Sequence, residues 1–189
     1  MEKIGLFGGT FDPLHIGHMI LAEAVREAWK LEEIWFIPSH LPPHKEKASV
    51  SGRDRMEMVR KSISQNDKFK VCDLELLRGD KSYTLKTVRE LKERYPDKKF
   101  FFIIGGDMVE SLGSWYHIEE LMEEVSFVGV NRPGYSFGTD YPVSKVEIPP
   151  LSISSSEIRE RMERNLTIRY MVPEPVYFYI KRKGLYEHE

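Results

Sequence analysis

An apolar run, Lys3 to Phe7, stops at two glycines, and an apolar-periodic segment, Ile20 to Trp29, follows soon after. The run predicts a buried strand and the periodic segment a helix. Between them stands Gly8-Gly9-Thr10-Phe11-Asp12-Pro13-Leu14-His15-Ile16-Gly17-His18. A strand, a glycine turn and a helix N-terminus make a site for phosphate. The first helical N–H groups have no partner within the helix, and they carry the positive end of its dipole. Glycine has no Cβ, so anionic oxygens can come close to the backbone. His15 and His18 lie three apart and can face the same side of one helical turn. Two imidazoles beside an anion site point to chemistry rather than packing.

The same alternation runs through the chain. Further strands are predicted at Ile34–Pro38, Phe69–Asp73, Lys99–Ile104, Val125–Val130 and Lys145–Ile148. Phe100 to Ile104 is apolar throughout, as a central strand covered on both faces should be. Ser51 with Asp54 opens a helix to about Gln65, and Thr84 caps another with Leu85, Val88 and Leu91 on its buried face. Gly105-Gly106-Asp107 precedes a short helix, and His117–Glu123 forms a further one. Asn131 to Tyr141 reads as a surface loop. Ser154 with Glu157 fits a capping box, and a last helix starts at Pro173 and stops near Gly184. Short strands alternating with helices predict an α/β protein with a Rossmann-like, doubly wound parallel sheet. In such sheets ligands bind beyond the strand C-termini, at the topological switch point.

The length, 189 residues, suits one domain over 1–189, with a C-terminal helical segment (about 153–189) packing on it. A net charge of −2 gives no basic surplus, which argues against nucleic-acid binding. One cysteine, Cys72, excludes an internal disulfide and reads as a small core residue within its strand. No apolar run reaches the roughly 18 residues of a membrane span, and the start lacks a signal-peptide pattern. A cytoplasmic protein without a membrane partner is therefore expected, and the sequence admits a homo-oligomer.

The opening motif resembles the nucleotidylyltransferase superfamily, marked by Gly-x-Phe-Asp-Pro-x-[His/Thr]-x-Gly-His. The resemblance implies the nucleotidylyltransferase fold, with ATP held along Gly8, Gly9, Thr10 and Phe11. It also implies that His18 contacts the ATP phosphates, that Gly17 admits the nucleotide, and that His15 stands beside them. His-Ile-Gly-His also matches a signature of class I aminoacyl-tRNA synthetases. A full synthetase is excluded, since there is no room for a tRNA-binding domain and no Lys-Met-Ser-Lys-Ser loop. Ile153-Ser154-Ser155-Ser156-x-Ile158-Arg159 resembles the family's Ile-Ser-Ser-Thr-x-Ile-Arg element, with Ser156 in place of threonine. Its hydroxyls, helix N–H groups and guanidinium suit a triphosphate, which places Ser154, Ser156 and Arg159 in the ATP site.

Three more features are similar to the bacterial nicotinate mononucleotide branch of that superfamily. Pro42-Pro43-His44-Lys45 matches a loop whose lysine reaches substrate and ATP phosphates, a task for a point charge on a flexible stem. Gly105-Gly106-Asp107 with Trp115 implies that Gly105 and Asp107 belong to the ATP site, that Asp107 binds ribose hydroxyls and that Trp115 stacks on a pyridine ring. Thr84 matches the family residue beside the nicotinate carboxylate. Arg132, in an Arg-Pro-Gly, implies a phosphate contact. The tail Ile168 to Tyr186 also resembles this branch and reads as more structural than chemical.

The resemblance thus implies an adenylyltransferase that moves AMP from ATP to nicotinate mononucleotide. His18, His15, Lys45 and Arg159 would act in catalysis, and Lys45, Thr84, Asp107, Trp115 and Arg132 would hold the mononucleotide. Mg²⁺ is expected to ride mainly on the phosphates, with no metal site built from the protein. Alternatives stay open at this point: a pantetheine-phosphate adenylyltransferase, a non-catalytic nucleotide sensor on the same fold, and, for the leading reading, nicotinamide mononucleotide as the acceptor.

Overall fold

A computed structural model describes residues 1–41, 47–131 and 136–187. Its sheet contains β1 (Glu2–Gly9), β2 (Glu33–Pro38), β3 (Phe69–Val71), β4 (Lys98–Gly105), β5 (Ser126–Val130) and β6 (Val143–Val146). The order is β3-β2-β1-β4-β5-β6, and every neighbouring pair is parallel. This is the doubly wound order, and its switch point lies between β1 and β4.

The helices are α1 (Ile16–Trp29), α2 (Gly52–Ile63), α3 (Leu74–Arg78), α4 (Thr84–Arg94), α5 (Gly106–Glu110), α6 (Ile118–Glu124), α7 (Ser155–Glu163) and α8 (Glu174–Lys183). A 3₁₀ turn covers Leu112–Ser114. Alternate side chains of a strand point opposite ways, and the runs of consecutive buried residues in β1, β2, β4 and β5 show both of their faces covered. Ile4, Leu6, Phe100, Phe102 and Ile104 meet Leu85, Val88 and Leu91 of α4 and Leu121 of α6 on one face. Phe7, Phe36, Phe101, Ile103 and Val128 meet Leu21, Ala22 and Val25 of α1 and Val59 of α2 on the other. Burying each large apolar side chain contributes about 1.5–3 kcal/mol.

Gly5 is the gap in this pattern. A Cβ there would stand 2.6 Å from Ile34 Cδ1 and 2.9 Å from both Ile103 Cδ1 and Leu31 Cδ1. Neighbouring side chains fill the space that a residue at position 5 would otherwise take, so β1 and β2 pair without a void.

The C-terminal helices make a third cluster. Ile158 and Met162 of α7 and Val176 and Ile180 of α8 pack with Met58 of α2. Among the described residues no helix is long and apolar enough to cross a membrane.

Several predicted boundaries move. β1 runs on through Gly8 and Gly9, which pair with Ile37 and Pro38 of β2, so the expected glycine turn is strand and the chain turns only after Gly9. α1 begins at Ile16, not Ile20, which places both histidines at its first turn. β3 ends at Val71, so Cys72 lies just beyond it, partly buried against the core. β6 covers Val143–Val146 instead of Lys145–Ile148. Thr84 is the first residue of α4 rather than its cap, because Tyr83 holds the extended cap conformation. Pro173 likewise caps α8 from outside. α3 was not predicted at all; five residues are too few to show a helical period.

Candidate active site

The turn after β1 leaves the strand abruptly. Phe11 adopts a left-handed backbone at φ 51°, and the Asp12–Pro13 peptide is cis. The chain then enters α1 with His15 at the N-cap and His18 at the third helical position, where the two form a capping box. The His15 N–H donates to His18 Nδ1 at 3.1 Å. In the neutral ring Nδ1 is therefore the acceptor and Nε2 carries the proton. The two rings stack with centroids 3.7 Å apart. His15 is only 1 % exposed, whereas His18 is partly open and lines a cavity. A Cβ on Gly17 would stand 3.0 Å from His15 Cε1 and Nδ1. Glycine at this position lets the buried histidine sit under the helix start.

The cavity that His18 lines is the more polar of two at this end of the sheet. Gly8 to Asp12 form one wall, Gly105, Asp107 and Met108 another, and Ser155, Ser156 and Arg159 a third. Arg159 Nη1 donates to the Asp12 carbonyl at 2.8 Å, and Nη2 donates to Ser156 Oγ at 3.3 Å. Ser154 accepts from the Glu157 N–H at 3.1 Å, which caps α7 as its sequence indicated. Ser155 donates to the Pro13 carbonyl at 2.9 Å and so ties α7 to the opening turn. Of the residues predicted to bind ATP, this cavity gathers Gly8, Gly9, Thr10, Phe11, His18, Gly105, Asp107, Ser156 and Arg159. His15, Gly17 and Ser154 lie outside its lining and act on the frame.

A second, more apolar cavity adjoins the first across Gly8, Gly9 and Thr10. Thr84, Trp115, Tyr83, Tyr116 and Phe102 line it. The Trp115 ring meets Phe102 and Phe127 edge-on, with centroids 6.0 Å away in each case. Core aromatics thus brace the indole while it stays partly open to the cavity. Asp107 lines the polar cavity and not this one. Lys45 and Arg132 lie outside the described residues.

Four side chains here had no sequence prediction. Lys47 lines the polar cavity, two positions after the predicted Lys45. Arg55 of α2 is 2 % exposed, and one nitrogen donates to the Thr10 and Ser39 carbonyls at 2.8 and 2.7 Å. Burial lowers its affinity for the proton, and Asp12 opposes that. Tyr186 donates to Asp12 Oδ1 at 2.7 Å. Glu75 of α3 lines the apolar cavity and accepts from the Thr87 hydroxyl at 2.7 Å. Burial pushes its carboxyl above the usual range, against the pull of the Thr87 and Ser82 hydroxyls. Only the Lys45-x-Lys47 pair carried a visible signal. The others depend on contacts between distant segments.

A parallel sheet of this order, with a donor-lined cavity and an aromatic cavity at its switch point, defines a nucleotide-handling α/β protein. Residues 6–161 match the cytidylyltransferase-like family. A relative from Oceanobacillus iheyensis named "Probable nicotinate-nucleotide adenylyltransferase" is 50% identical over 98% of this chain and 97% of its own. One of the same name from Geobacillus thermodenitrificans is 51% identical over 98% of this chain and 87% of its own. The solved structure of Plasmodium falciparum nicotinic acid mononucleotide adenylyltransferase complexed with NaAD superposes with a TM-score of 0.81. It is 26% identical and covers 98% of both chains. The chain belongs to the cytidylyltransferase-like family, among the nicotinate-nucleotide adenylyltransferases.

Proposed function

We propose that the protein transfers the adenylyl group of ATP to nicotinate mononucleotide, giving deamido-NAD and pyrophosphate, a step of NAD biosynthesis. The observation that carries this reading is the pair of cavities meeting at Gly8–Thr10. The polar one suits a triphosphate, and the apolar one, with Trp115, suits a flat ring. The phosphate between them would lie at the C-terminal end of β1.

A phosphate oxygen of the mononucleotide attacks the α-phosphorus, a new P–O bond forms, and the bond to the β-phosphate oxygen breaks. The nucleophile belongs to the substrate, so the protein need only align and stabilise. His18 Nε2–H donates to the α-phosphate as charge builds there. Arg159 and Ser156 hold the departing pyrophosphate, with the Lys47 ammonium at the rim. His15 sets the His18 ring. Trp115 stacks on the pyridine ring, and Thr84 faces its carboxyl group. Lys45 and Arg132 remain assigned to the substrate phosphates by their motifs.

Mg²⁺ fits this site as a passenger of the phosphates, where it would neutralise part of their charge. Among the described residues no three His, Cys, Asp or Glu side chains converge on one point. Both Asp12 carboxylate oxygens already accept hydrogen bonds.

Pyrophosphate release decides the matter. With ATP, nicotinate mononucleotide should give rapid release, and 4′-phosphopantetheine none. Release with phosphopantetheine alone would reassign the substrate, and none with any acceptor would leave a nucleotide sensor. Replacing Trp115 by Ala should raise KM for nicotinate mononucleotide about tenfold, the scale of a lost ring contact, with KM for ATP unchanged. Equal changes in both would remove the stacking role.

A further inference from the structure

Under the turn after β1 lies a polar cluster built from segments far apart in sequence. Asp12 is 4 % exposed. Its Oδ1 accepts from the Tyr186 hydroxyl at 2.7 Å, and its Oδ2 from the Ser49 N–H at 2.7 Å. Its carbonyl accepts from Arg159 at 2.8 Å. Arg55 holds the neighbouring Thr10 carbonyl from below. The C-terminal tail, the start of α2's approach and α7 therefore all converge on one residue of the turn.

The tail reaches it by a specific route. α8 ends at Gly184, φ 62°, and Tyr186 is again left-handed at φ 63°. These two residues turn the chain back over α8. The Tyr186 ring packs on the C-terminal apolar cluster, and its hydroxyl points at Asp12. Burial and the Asp12 carboxylate hold that hydroxyl protonated well above the usual tyrosine range, so it is a fixed donor.

We infer that Tyr186 is a positioning residue for adenylyl transfer: by holding the Asp12 carboxylate it fixes the turn that aims His18 and Arg159. The inference rests on the adenylyl-transfer reading. A reaction whose nucleophile comes from the substrate depends chiefly on alignment, and small misplacements at the turn reach the chemical step. Asp12 touches no reacting atom in this scheme. It transmits order from the tail to Arg159 through its own carbonyl.

The test is Tyr186→Phe, which keeps the ring and removes only the donor. Pyrophosphate release with ATP and nicotinate mononucleotide is measured beside a thermal melt. The expected result is a fall in kcat of about tenfold, the scale of one hydrogen bond to a charged group, with both KM values within twofold. Crossing it with Asp12→Ala, which removes the acceptor of the Tyr186 hydroxyl, should give a double variant no slower than Asp12→Ala alone. Should Asp12→Ala not fold, the kcat and KM split in Tyr186→Phe decides by itself. A kcat within twofold of the parent overturns the inference and leaves the function standing. So does a loss that multiplies with Asp12→Ala, or a lowered melting temperature with unchanged kcat. A parent protein that releases no pyrophosphate overturns the adenylyl-transfer reading, and this inference with it.

Discussion

Replacing His18 by Ala should lower kcat at least about a hundredfold, the scale for removing one donor aimed at developing charge. The argument is geometric. His18 Nδ1 accepts from the His15 N–H, so the neutral ring carries its proton on Nε2, and the side chain lines the polar cavity. No other imidazole lines that cavity among the described residues. The variant also loses a cap partner at the start of α1, which costs about 1 kcal/mol and a few degrees of melting temperature. Steady-state pyrophosphate release and a thermal melt on the same preparation separate the two effects. Near-normal turnover in a folded variant would remove His18 from the chemistry.

Replacing Arg159 by Ala should lower kcat/KM for ATP about fiftyfold. Arg159 lines the same cavity, and two of its nitrogens are already braced by Asp12 and Ser156. A guanidinium fixed in this way meets phosphate oxygens with little loss of freedom, and each charge-assisted hydrogen bond is worth roughly 1.5–3 kcal/mol. KM for nicotinate mononucleotide should change little, because Arg159 does not line the aromatic cavity. Lysine at position 159 should recover only part of the loss, since it supplies charge without the fork. Initial rates with each substrate varied in turn distinguish these outcomes. A uniform loss toward both substrates would point to a collapsed turn instead.

Most of the sheet was legible in the chain. The strands of such a fold are short, continuously apolar runs, and Phe100 to Ile104 shows its two buried faces directly. The cavity walls were legible where they are local, in a histidine pair and a serine-capped helix, whereas the two glycines that read as a turn are the last residues of β1. Contacts that depend on closure of the chain left no local mark. Arg55 sits in a helix with charged neighbours and reads as one more solvated arginine, yet it is buried between two strand ends. Asp12 reads as part of a nucleotide motif, yet its carboxylate faces the tail and Ser49. Tyr186 stands 174 positions from its partner, beyond any periodicity. Glu75 is on a helix of five residues that no period could announce.

The wall shared by the two cavities has a practical side. Gly8, Gly9 and Thr10, at the end of β1, line both a donor-rich chamber and an aromatic one. Two weak fragments, an anion beside Arg159 and a flat heterocycle beside Trp115, could be joined by a short tether crossing that strand end. Once the first fragment is seated, the second binds at an effective concentration in the millimolar range, and the affinities compound. Side chains at positions 8 and 9 would obstruct the tether. A Cβ on Gly9 would stand 2.9 Å from the Phe11 ring, so substitution there displaces the turn itself. Escape from such a bivalent inhibitor by mutation at the crossing point would therefore come at the expense of the enzyme's own geometry.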